Sequence, residues 1–343
     1  MKNILDNVLN EYNLSTPINI EQLSSYANKV FLISYPSRQF ILKEYSSIPK
    51  EQVVKITNAR NILQTHNFPI PNIIANKDGK QFTEIDEHIY DLSEYIAHVR
   101  YEPQNVPLPF LKKAGNLLAT LHTISFPENE IDSMGFPSLH VKVKDLCKKF
   151  AENYENIFHD ADVETKERLQ LLLDFIKKTE KKREEIFQND SFYTFQKQSP
   201  IPTHGDFSLH NLLDTKNNLY LVDWDNIMLR PQAFEIQRSL GVLCGKGRCN
   251  GNLDEIDRKK AQAFLDGYQE IFPLTKAIVH QMAEVAEYCM YVYWLEFTLQ
   301  QIINNDFRVL TLLPKTLNQA LYWGKNIEEY KEFLLEIASL CSQ

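Results

Sequence analysis

Two short polar segments that lie close together in the chain constrain its fold more than any other feature. Residues 203–211 read Thr-His-Gly-Asp-Phe-Ser-Leu-His-Asn, and residues 221–225 read Leu-Val-Asp-Trp-Asp. The intervening residues form two short apolar runs around Asn217 and Asn218, which are favoured turn residues, so a β-hairpin is predicted between the two segments. Folding this hairpin would bring three polar side chains to one end of it: Asp206, Asn211 and Asp223.

Phosphoryl transfer requires side chains of these types. A carboxylate can accept the proton of an attacking hydroxyl, while an amide oxygen and a second carboxylate can hold Mg²⁺ on the phosphates. Gly205 permits a backbone angle that suits a tightly wound loop. His204 is predicted to brace the loop through hydrogen bonds. For Asp225 two interpretations stay open, since it could assist the metal or cap a turn.

The order His-Gly-Asp, four residues, Asn and a strand ending in Asp-Trp-Asp resembles the aminoglycoside phosphotransferase and choline kinase superfamily. Members of this superfamily have the protein-kinase-like fold and phosphorylate small molecules. The resemblance implies that Asp206 is the catalytic base and that Asn211 and Asp223 bind Mg²⁺. It also implies that Lys43, near the end of a predicted strand, contacts the phosphates of ATP or GTP.

The fold class implied by the resemblance is α+β, with two lobes. Residues 1–95 would form a small β-rich N-lobe that binds the nucleotide, and residues 96–343 a larger α-helical C-lobe with the catalytic loop and the substrate-binding helices. Residues 93–96 would be the hinge whose backbone holds the adenine. Apolar residues at helical or alternating spacing predict the elements themselves. The predicted strands cover 18–23, 29–35, 39–45, 81–85 and 88–96. The predicted helices cover 2–13, 50–65, 109–124, 139–158, 162–189, 232–245, 256–271, 275–304 and 311–340.

Two positions depart from the superfamily pattern. Many members carry an acid on the first N-lobe helix that pairs with the strand lysine, but here Asn58 stands in its place. Either Glu51 serves instead, or Lys43 lacks a charged partner. In addition, residues 24–29, where the nucleotide loop is expected, contain no glycine, although close approach of the backbone to phosphate favours it.

The predicted function is transfer of the γ-phosphate of ATP or GTP to a hydroxyl of a small molecule. An aminoglycoside-like antibiotic, an amino alcohol, homoserine and a sugar all remain open as acceptors. The predicted helix 275–304 collects Glu284, Glu287 and Glu296 among aromatic residues. It is either a buried C-lobe helix or a wall that binds a cationic acceptor through its acids and aromatic rings. The alternative function is a catalytically weak or inactive kinase-like binding protein, such as the spore-coat members of the superfamily.

Charge and cysteine content exclude other classes of function. The net charge of −8 over 343 residues argues against a nucleic-acid partner, because binding to phosphate backbones requires clustered lysine and arginine. The five cysteines form no CxxC pair, which is typical of reduced thiols in a cytoplasmic protein. The most apolar segment, residues 288–297, is too short to span a bilayer, so no membrane partner is expected.

Overall fold

A five-stranded antiparallel sheet forms the N-lobe of the structure, a computed structural model that describes residues 2–24, 28–46, 48–127, 130–133, 136–189, 200–245 and 256–340. The strands are β1 (Asn19–Leu23), β2 (Lys29–Ser34), β3 (Gln39–Tyr45), β4 (Thr83–Ile85) and β5 (His88–Glu94). They lie in the order β1-β2-β3-β5-β4. Because β5 rather than β4 lies beside β3, Lys43 on β3 is directly opposite Asp91 on β5.

The two faces of this sheet have different surroundings. Helix α1 (Lys2–Glu11) packs on one face and forms a buried apolar cluster with it. The cluster includes Leu5, Val8 and Leu9 from the helix and Phe31, Ile33, Phe40 and Leu42 from the strands. Since side chains alternate along a strand, Lys43 and Ile41 lie on the opposite face, with Val30 and Leu32 of β2. These apolar side chains are only partly buried.

Helix α2 (Lys50–Thr65) follows β3 and covers the range predicted for it. Its buried side chains are Val53, Ile56, Ala59 and Leu63. They belong to the apolar core of the C-lobe rather than to the cluster beneath α1. Asn67 then adopts a positive φ of 53°, and Pro69 prevents the helix from continuing.

The C-lobe is largely helical. Its helices are α3 (Leu108–Thr123), α4 (Phe136–Asp160), α5 (Val163–Lys178), α6 (Glu180–Gln188), α7 (Gln232–Leu243), α8 (Arg258–Gln269), α9 (Lys276–Tyr288), α10 (Trp294–Ile303) and α11 (Leu313–Leu340). A π-helical turn, Cys289–Tyr293, joins α9 to α10. The single helix predicted over 162–189 was wrong, because the chain leaves helical geometry at Thr179. There the threonine hydroxyl donates to the carbonyl oxygen of Phe175 at 2.6 Å, a local bond that competes with the helix.

Helices α3 and α8 pack with their backbones unusually close. A Cβ atom at Gly115 of α3 would lie 1.9 Å from the carbonyl oxygen of Phe264, and one at Gly267 of α8 would lie 1.9 Å from that of Lys112. Neither position has room for a side chain. The two glycines therefore set the distance between these helices.

Four short strands lie between α6 and α7 and carry the polar segments. They are β6 (Ile201–Thr203), β7 (Leu212–Asp214), β8 (Leu219–Leu221) and β9 (Met228–Arg230). Strand β6 pairs with β9, and β7 pairs with β8. The predicted hairpin is confirmed: Leu212 lies opposite Leu221, and Thr215 and Asn218 close its turn through reciprocal hydrogen bonds.

The sheet of the N-lobe and the helices of the C-lobe confirm the predicted α+β, two-lobed, protein-kinase-like fold. Within the described part of the chain, no helix combines the length and the apolar character needed to cross a membrane.

Candidate active site

The loop that carries Asp206 is held in shape by its own side chains. It leaves β6 after Thr203 and enters β7 through a 3-10 turn, Leu209–Asn211. Asn211 Nδ2 donates to the backbone oxygen of Asp206 at 2.8 Å and to its carboxylate Oδ2 at 2.9 Å. These bonds fix the carboxylate of Asp206 relative to the amide of Asn211. They also direct the amide oxygen of Asn211 away from Asp206.

Gly205 is required at the start of this loop for two reasons. Its φ is +80°, a conformation that residues with side chains rarely adopt. A Cβ atom there would lie 2.5 Å from the backbone oxygen of Asn226 and 2.7 Å from Arg230 Nη1. The predicted need for glycine at this position is confirmed.

Asp223 lies next to Asn211 because the β7–β8 hairpin is extended by one more backbone bond. The amide of Val222 donates to the carbonyl oxygen of Asn211 at 3.0 Å. The carbonyl oxygen of Val222 in turn contacts His204 Nε2 at 2.9 Å. His204 Nδ1 accepts a bond from the amide of Asp206 at 3.2 Å, so the histidine braces the loop as predicted.

Lys43 reaches this group of residues from the other lobe. Its ammonium group lies 2.7 Å from Asp223 Oδ1 and 2.7 Å from Asp225 Oδ1. The two acids differ in exposure, since the side chain of Asp223 is 47% exposed and that of Asp225 is 12% exposed. The structure therefore brings all four predicted site residues to the boundary between the lobes.

The charges of this cluster depend on one another. Burial opposes the charge of Lys43, but the nearby carboxylates of Asp225 and Asp223 outweigh it and raise the pKa of the lysine. Burial likewise opposes ionisation of Asp223, yet the ammonium group of Lys43 holds the pKa of this acid below its usual value. The pKa of Asp225 is raised, because burial and the negative charge of Asp223 exceed the effect of Lys43.

Asp225 also accepts a hydrogen bond from the N-lobe. Asn28, the residue before β2, donates from Nδ2 to Asp225 Oδ2 at 2.6 Å. The Oδ1 atom of Asn28 accepts a bond from the backbone amide of Ser46 at 3.3 Å. Residues 25–27 of the predicted nucleotide loop lie outside the described residues.

Helix α2 contributes no partner to Lys43. Asn58 donates to Glu130 Oε2 at 2.9 Å, and Glu51 is exposed in the first turn of the helix. Of the two alternatives for the lysine, the first is wrong because Glu51 does not reach it. The second is also wrong, because Lys43 does have charged partners and they come from the C-lobe.

A buried acid that sequence reasoning missed supports the loop that carries Asp206. Glu235 of α7 accepts the backbone amide of Gly205 at 2.6 Å and that of His204 at 2.9 Å. Its carboxylate also lies 3.2 Å from Nε2 of His122, and Nδ1 of that ring lies 2.6 Å from the hydroxyl of Tyr268. His122 is thus a hydrogen-bonded core residue, as predicted. The available signal for Glu235 was an acid within the apolar run of residues 233–236.

Burial opposes ionisation of Glu235, but a stronger opposite effect comes from its partners. The hydrogen bond and charge of His122, the charge of His204 and the amide of Gly205 together hold the pKa of Glu235 below its usual value. Glu235 is therefore expected to stay ionised inside the protein.

Two of the three acids proposed for an acceptor wall are already engaged by lysines. Glu287 lies 2.5 Å from the ammonium group of Lys182 on α6, and Glu296 pairs with Lys142 on α4. Glu284 shares with Glu287 a small cavity of about 160 Å³ beside α6.

The π-helical turn presents Tyr293 to α7. The guanidinium carbon of Arg238 lies 4.9 Å from the centroid of its ring. Burial opposes the charge of Arg238, but Tyr293 and, to a smaller extent, Asp206 raise the pKa of this arginine. Arg238 therefore keeps its charge although it is surrounded by protein.

The residues at the loop suit a hard divalent cation. Asn211 can offer a neutral amide oxygen and Asp223 a charged oxygen, and both are ligand types that Mg²⁺ accepts. Among the described residues, no group of three or more histidine, cysteine or acidic side chains is arranged to hold a metal ion. A cation at this place would therefore have few protein ligands, as is usual when phosphate oxygens complete its shell.

Comparison with solved structures shows the same fold in small-molecule kinases. A spectinomycin phosphotransferase crystallised with ADP and spectinomycin matches with a TM-score of 0.63 and 17% identity, over 99% of this chain and 98% of that one. An ethanolamine kinase from Plasmodium vivax matches with a TM-score of 0.64 and 14% identity, over 92% and 86%. A choline kinase from Cryptosporidium parvum Iowa II matches with a TM-score of 0.60 and 13% identity, over the full length of both chains.

Sequence comparison is informative at the level of the family. A search of curated proteins gave no significant match. A model of the phosphotransferase enzyme family, however, matches residues 19–274, which include β1, the catalytic loop and the Asp-Trp-Asp segment. This chain therefore belongs to the phosphotransferase enzyme family.

Proposed function

We propose that this protein is a small-molecule kinase that transfers the γ-phosphate of ATP or GTP to a hydroxyl group. One observation carries the proposal: a single loop and the adjoining hairpin hold Asp206, Asn211 and Asp223 together, while Lys43 reaches them from the opposite lobe. Phosphoryl transfer depends mainly on positioning and on stabilisation of charge, which such an arrangement provides.

Each residue has a distinct role in this proposal. Asp206 accepts the proton of the acceptor hydroxyl and orients its oxygen toward the phosphate. Asn211 and Asp223 hold Mg²⁺, which when bound neutralises charge on the phosphate oxygens. Lys43 contacts the phosphates of the nucleotide with its ammonium group. His204 and Glu235 position the loop and contact neither substrate.

The base of the nucleotide has an apolar surface available on the same face of the sheet as Lys43. Val30, Leu32 and Ile41 are partly exposed there. In the predicted hinge, the amides of Glu94 and Tyr95 already donate to the carbonyl oxygens of Asn72 and Gln39. We therefore expect the backbone contacts to the base to come from the hinge residues that follow Tyr95.

The acceptor in this proposal is a small hydroxylated molecule. Spectinomycin, ethanolamine and choline are named for proteins of the same fold, and each carries a hydroxyl together with an amine or ammonium group. Within this chain, a cationic acceptor at Glu287 or Glu296 would have to displace Lys182 or Lys142. Cationic and neutral acceptors should therefore be tested side by side.

Nucleotide turnover tests the proposal. ATP and GTP would each be supplied with Mg²⁺ and a panel of aminoglycosides, amino alcohols, homoserine and sugars, and nucleoside diphosphate release would be measured. We expect at least one acceptor to stimulate release. Nucleotide binding without stimulation by any acceptor would instead favour the kinase-like binding protein, which the glycine-free loop also favours.

Replacement of Asp206 gives the matching negative control and the first specific prediction. Asp206→Ala should lower turnover by about 10²-fold or more, because a positioned base contributes on that scale. Nucleotide affinity should change little, since this carboxylate acts on the acceptor. Turnover within a few-fold of wild type in a folded Asp206→Ala protein would show that Asp206 is not the base.

A further inference from the structure

The charge that α2 places at the lobe boundary is positive. Arg60 of α2 forms an ion pair with Asp91 of β5, and the hydroxyl of Tyr45 donates to the same carboxylate at 2.7 Å. Both members of the ion pair are largely buried. Asp91 lies opposite Lys43 in the sheet, so α2 places an arginine near the lysine, while Asn58 stands at the position where an acid was expected. Glu51, the one acid in the sequence of α2, lies in its exposed first turn.

Asp225 has the contacts that an acid on α2 would otherwise supply. One carboxylate oxygen accepts from Lys43 at 2.7 Å and the other accepts from Asn28 at 2.6 Å. Both donors belong to the N-lobe, whereas Asp225 belongs to the segment that follows the catalytic hairpin. Neither of the two interpretations from the sequence, metal ligand or turn cap, describes these bonds.

We propose that Asp225 is the positioning residue for Lys43 and takes the place of the missing acid on α2. This inference rests on the proposed function, because the contact between Lys43 and the phosphates belongs to it. Asp225 touches neither nucleotide nor acceptor in this role. It acts through Lys43, and it also accepts a hydrogen bond from Asn28, the residue before β2.

Two physical arguments favour Asp225 over Asp223 for this role. A lysine has a long flexible side chain, so it binds phosphate better when its ammonium group is already held in place. The residue that holds the ammonium group must keep its contact with Lys43 after the nucleotide binds. Asp223, the more exposed acid, is required by Mg²⁺, whereas both oxygens of Asp225 are engaged by donors of the N-lobe.

A double-mutant cycle measures the coupling between Lys43 and Asp225 directly. The affinity for ADP would be determined by calorimetry in the presence of EDTA, so that no metal contributes. Lys43→Met would be compared in the wild-type background and in the Asp225→Asn background. In the wild-type background we expect a loss of about tenfold or more, the scale of a hydrogen bond to a charged group. In the Asp225→Asn background the same change should cost less than about twofold.

The control is a second buried acid with its own lysine. Asp214 of β7, whose side chain is 10% exposed, lies 3.4 Å from the ammonium group of Lys113 on α3. Asp214→Asn should leave the effect of Lys43→Met unchanged. Asp225→Glu keeps the carboxylate and should restore most of the coupling. Thermal denaturation of each variant would establish that it is folded.

The outcomes separate this inference from the proposed function. An equal loss on Lys43→Met in both backgrounds would overturn the role of Asp225. If Asp225→Asn also abolished the effect of Mg²⁺ on affinity, Asp225 would be a metal ligand instead. No effect of Lys43→Met in the wild-type background would remove both the lysine assignment and this inference. Failure of the protein to bind any nucleotide would contradict the proposed function itself.

Discussion

Asp223 has a left-handed backbone conformation, with φ 68° and ψ 66°, which few residues with side chains adopt. This conformation costs about 1 kcal/mol or more, and it persists because the surrounding bonds hold it. Those bonds come from Val222, whose amide and carbonyl are both engaged by the catalytic loop. This conformation places the carboxylate of Asp223 at the end of the hairpin, where it contacts the ammonium group of Lys43.

Asp223 and Asn211, the two proposed ligands of Mg²⁺, differ in charge, so replacing each of them should have a different effect. Asp223→Ala should largely abolish the effect of Mg²⁺ on nucleotide affinity, and Asn211→Ala should reduce it less, because a charged ligand holds a divalent cation more strongly than a neutral one. Titration of ATP with and without Mg²⁺ would measure both. An unchanged metal dependence in Asp223→Ala would contradict its assignment as a ligand.

Glu235 makes the stability of the protein depend on pH. Because the folded state holds its pKa below the value in the unfolded chain, its contribution is complete above the unfolded pKa and is lost as the pH falls through the folded one. Glu235→Ala should destabilise the fold by about 3–5 kcal/mol, since it leaves buried donors without their acceptor.

Chemical denaturation at pH 7 and at acidic pH would measure this contribution. The difference in unfolding free energy between wild type and Glu235→Ala should shrink as the pH is lowered below the ordinary range of glutamate. A difference that stays constant down to acidic pH would contradict the role of the ionised carboxylate.

Residues whose partners are close in the sequence could be predicted from it, and residues whose partners are distant in the sequence could not. Gly205 and His204 stand within the motif, so their roles follow from its neighbours. The bond between Asn28 and Asp225 joins positions 197 residues apart, and no local pattern indicates it. Glu235 was missed for the same reason, because its partners lie on two other segments of the chain.

At the scale of elements, the contact between α3 and α8 predicts a sharp difference between two glycines. Gly267→Ala should destabilise the protein by several kcal/mol, because the new Cβ atom would lie 1.9 Å from the carbonyl oxygen of Lys112 and would force the helices apart. Gly241→Ala in α7 is the matched control, since a Cβ atom there meets nothing within 4 Å. It should be neutral or stabilise by up to about 1 kcal/mol through helix propensity.

Thermal denaturation of the two glycine variants gives the measurement. The prediction requires a clear fall in Tm for Gly267→Ala and no fall for Gly241→Ala. Equal shifts in both would mean that the close backbone contact does not determine the stability of this helix pair.

Most helices and strands could be predicted because their apolar periodicity is strong. The positions at which a helix is interrupted could not be predicted. The strands and α2 lie where the pattern places them. The chain leaves helical geometry at Thr179, and threonine is common enough in helices that its position alone does not predict a break. The π-helical turn after Tyr288 likewise has no periodic signal.

At the scale of the whole molecule, Lys43 joins the two lobes, so nucleotide binding should stabilise them together. ATP with Mg²⁺ at 100 times its Kd should add about 2.7 kcal/mol to the unfolding free energy. At the same nucleotide concentration, Lys43→Met should show a smaller rise in Tm. Lys77→Met is the control, because Lys77 pairs with Glu11 of α1 at 3.5 Å and lies outside the predicted nucleotide site. An equal rise in both variants would show that Lys43 contributes nothing to nucleotide binding.

The π-helical turn at Cys289–Tyr293 decides which neighbours the long helical segment of the C-lobe can reach. One additional residue in an α-helix rotates all later side chains by about 100° around the axis, since a turn holds about 3.6 residues. The side chains on one face of α9 are therefore not in line with those on the corresponding face of α10. Tyr291 stacks on Phe175 of α5 at 6.3 Å, while Tyr293 meets Phe234 of α7 at 5.2 Å. Tyr291 and Tyr293 are two residues apart and point to opposite sides of the helix, so one ring packs against α5 and the other against α7, the helix that carries Glu235.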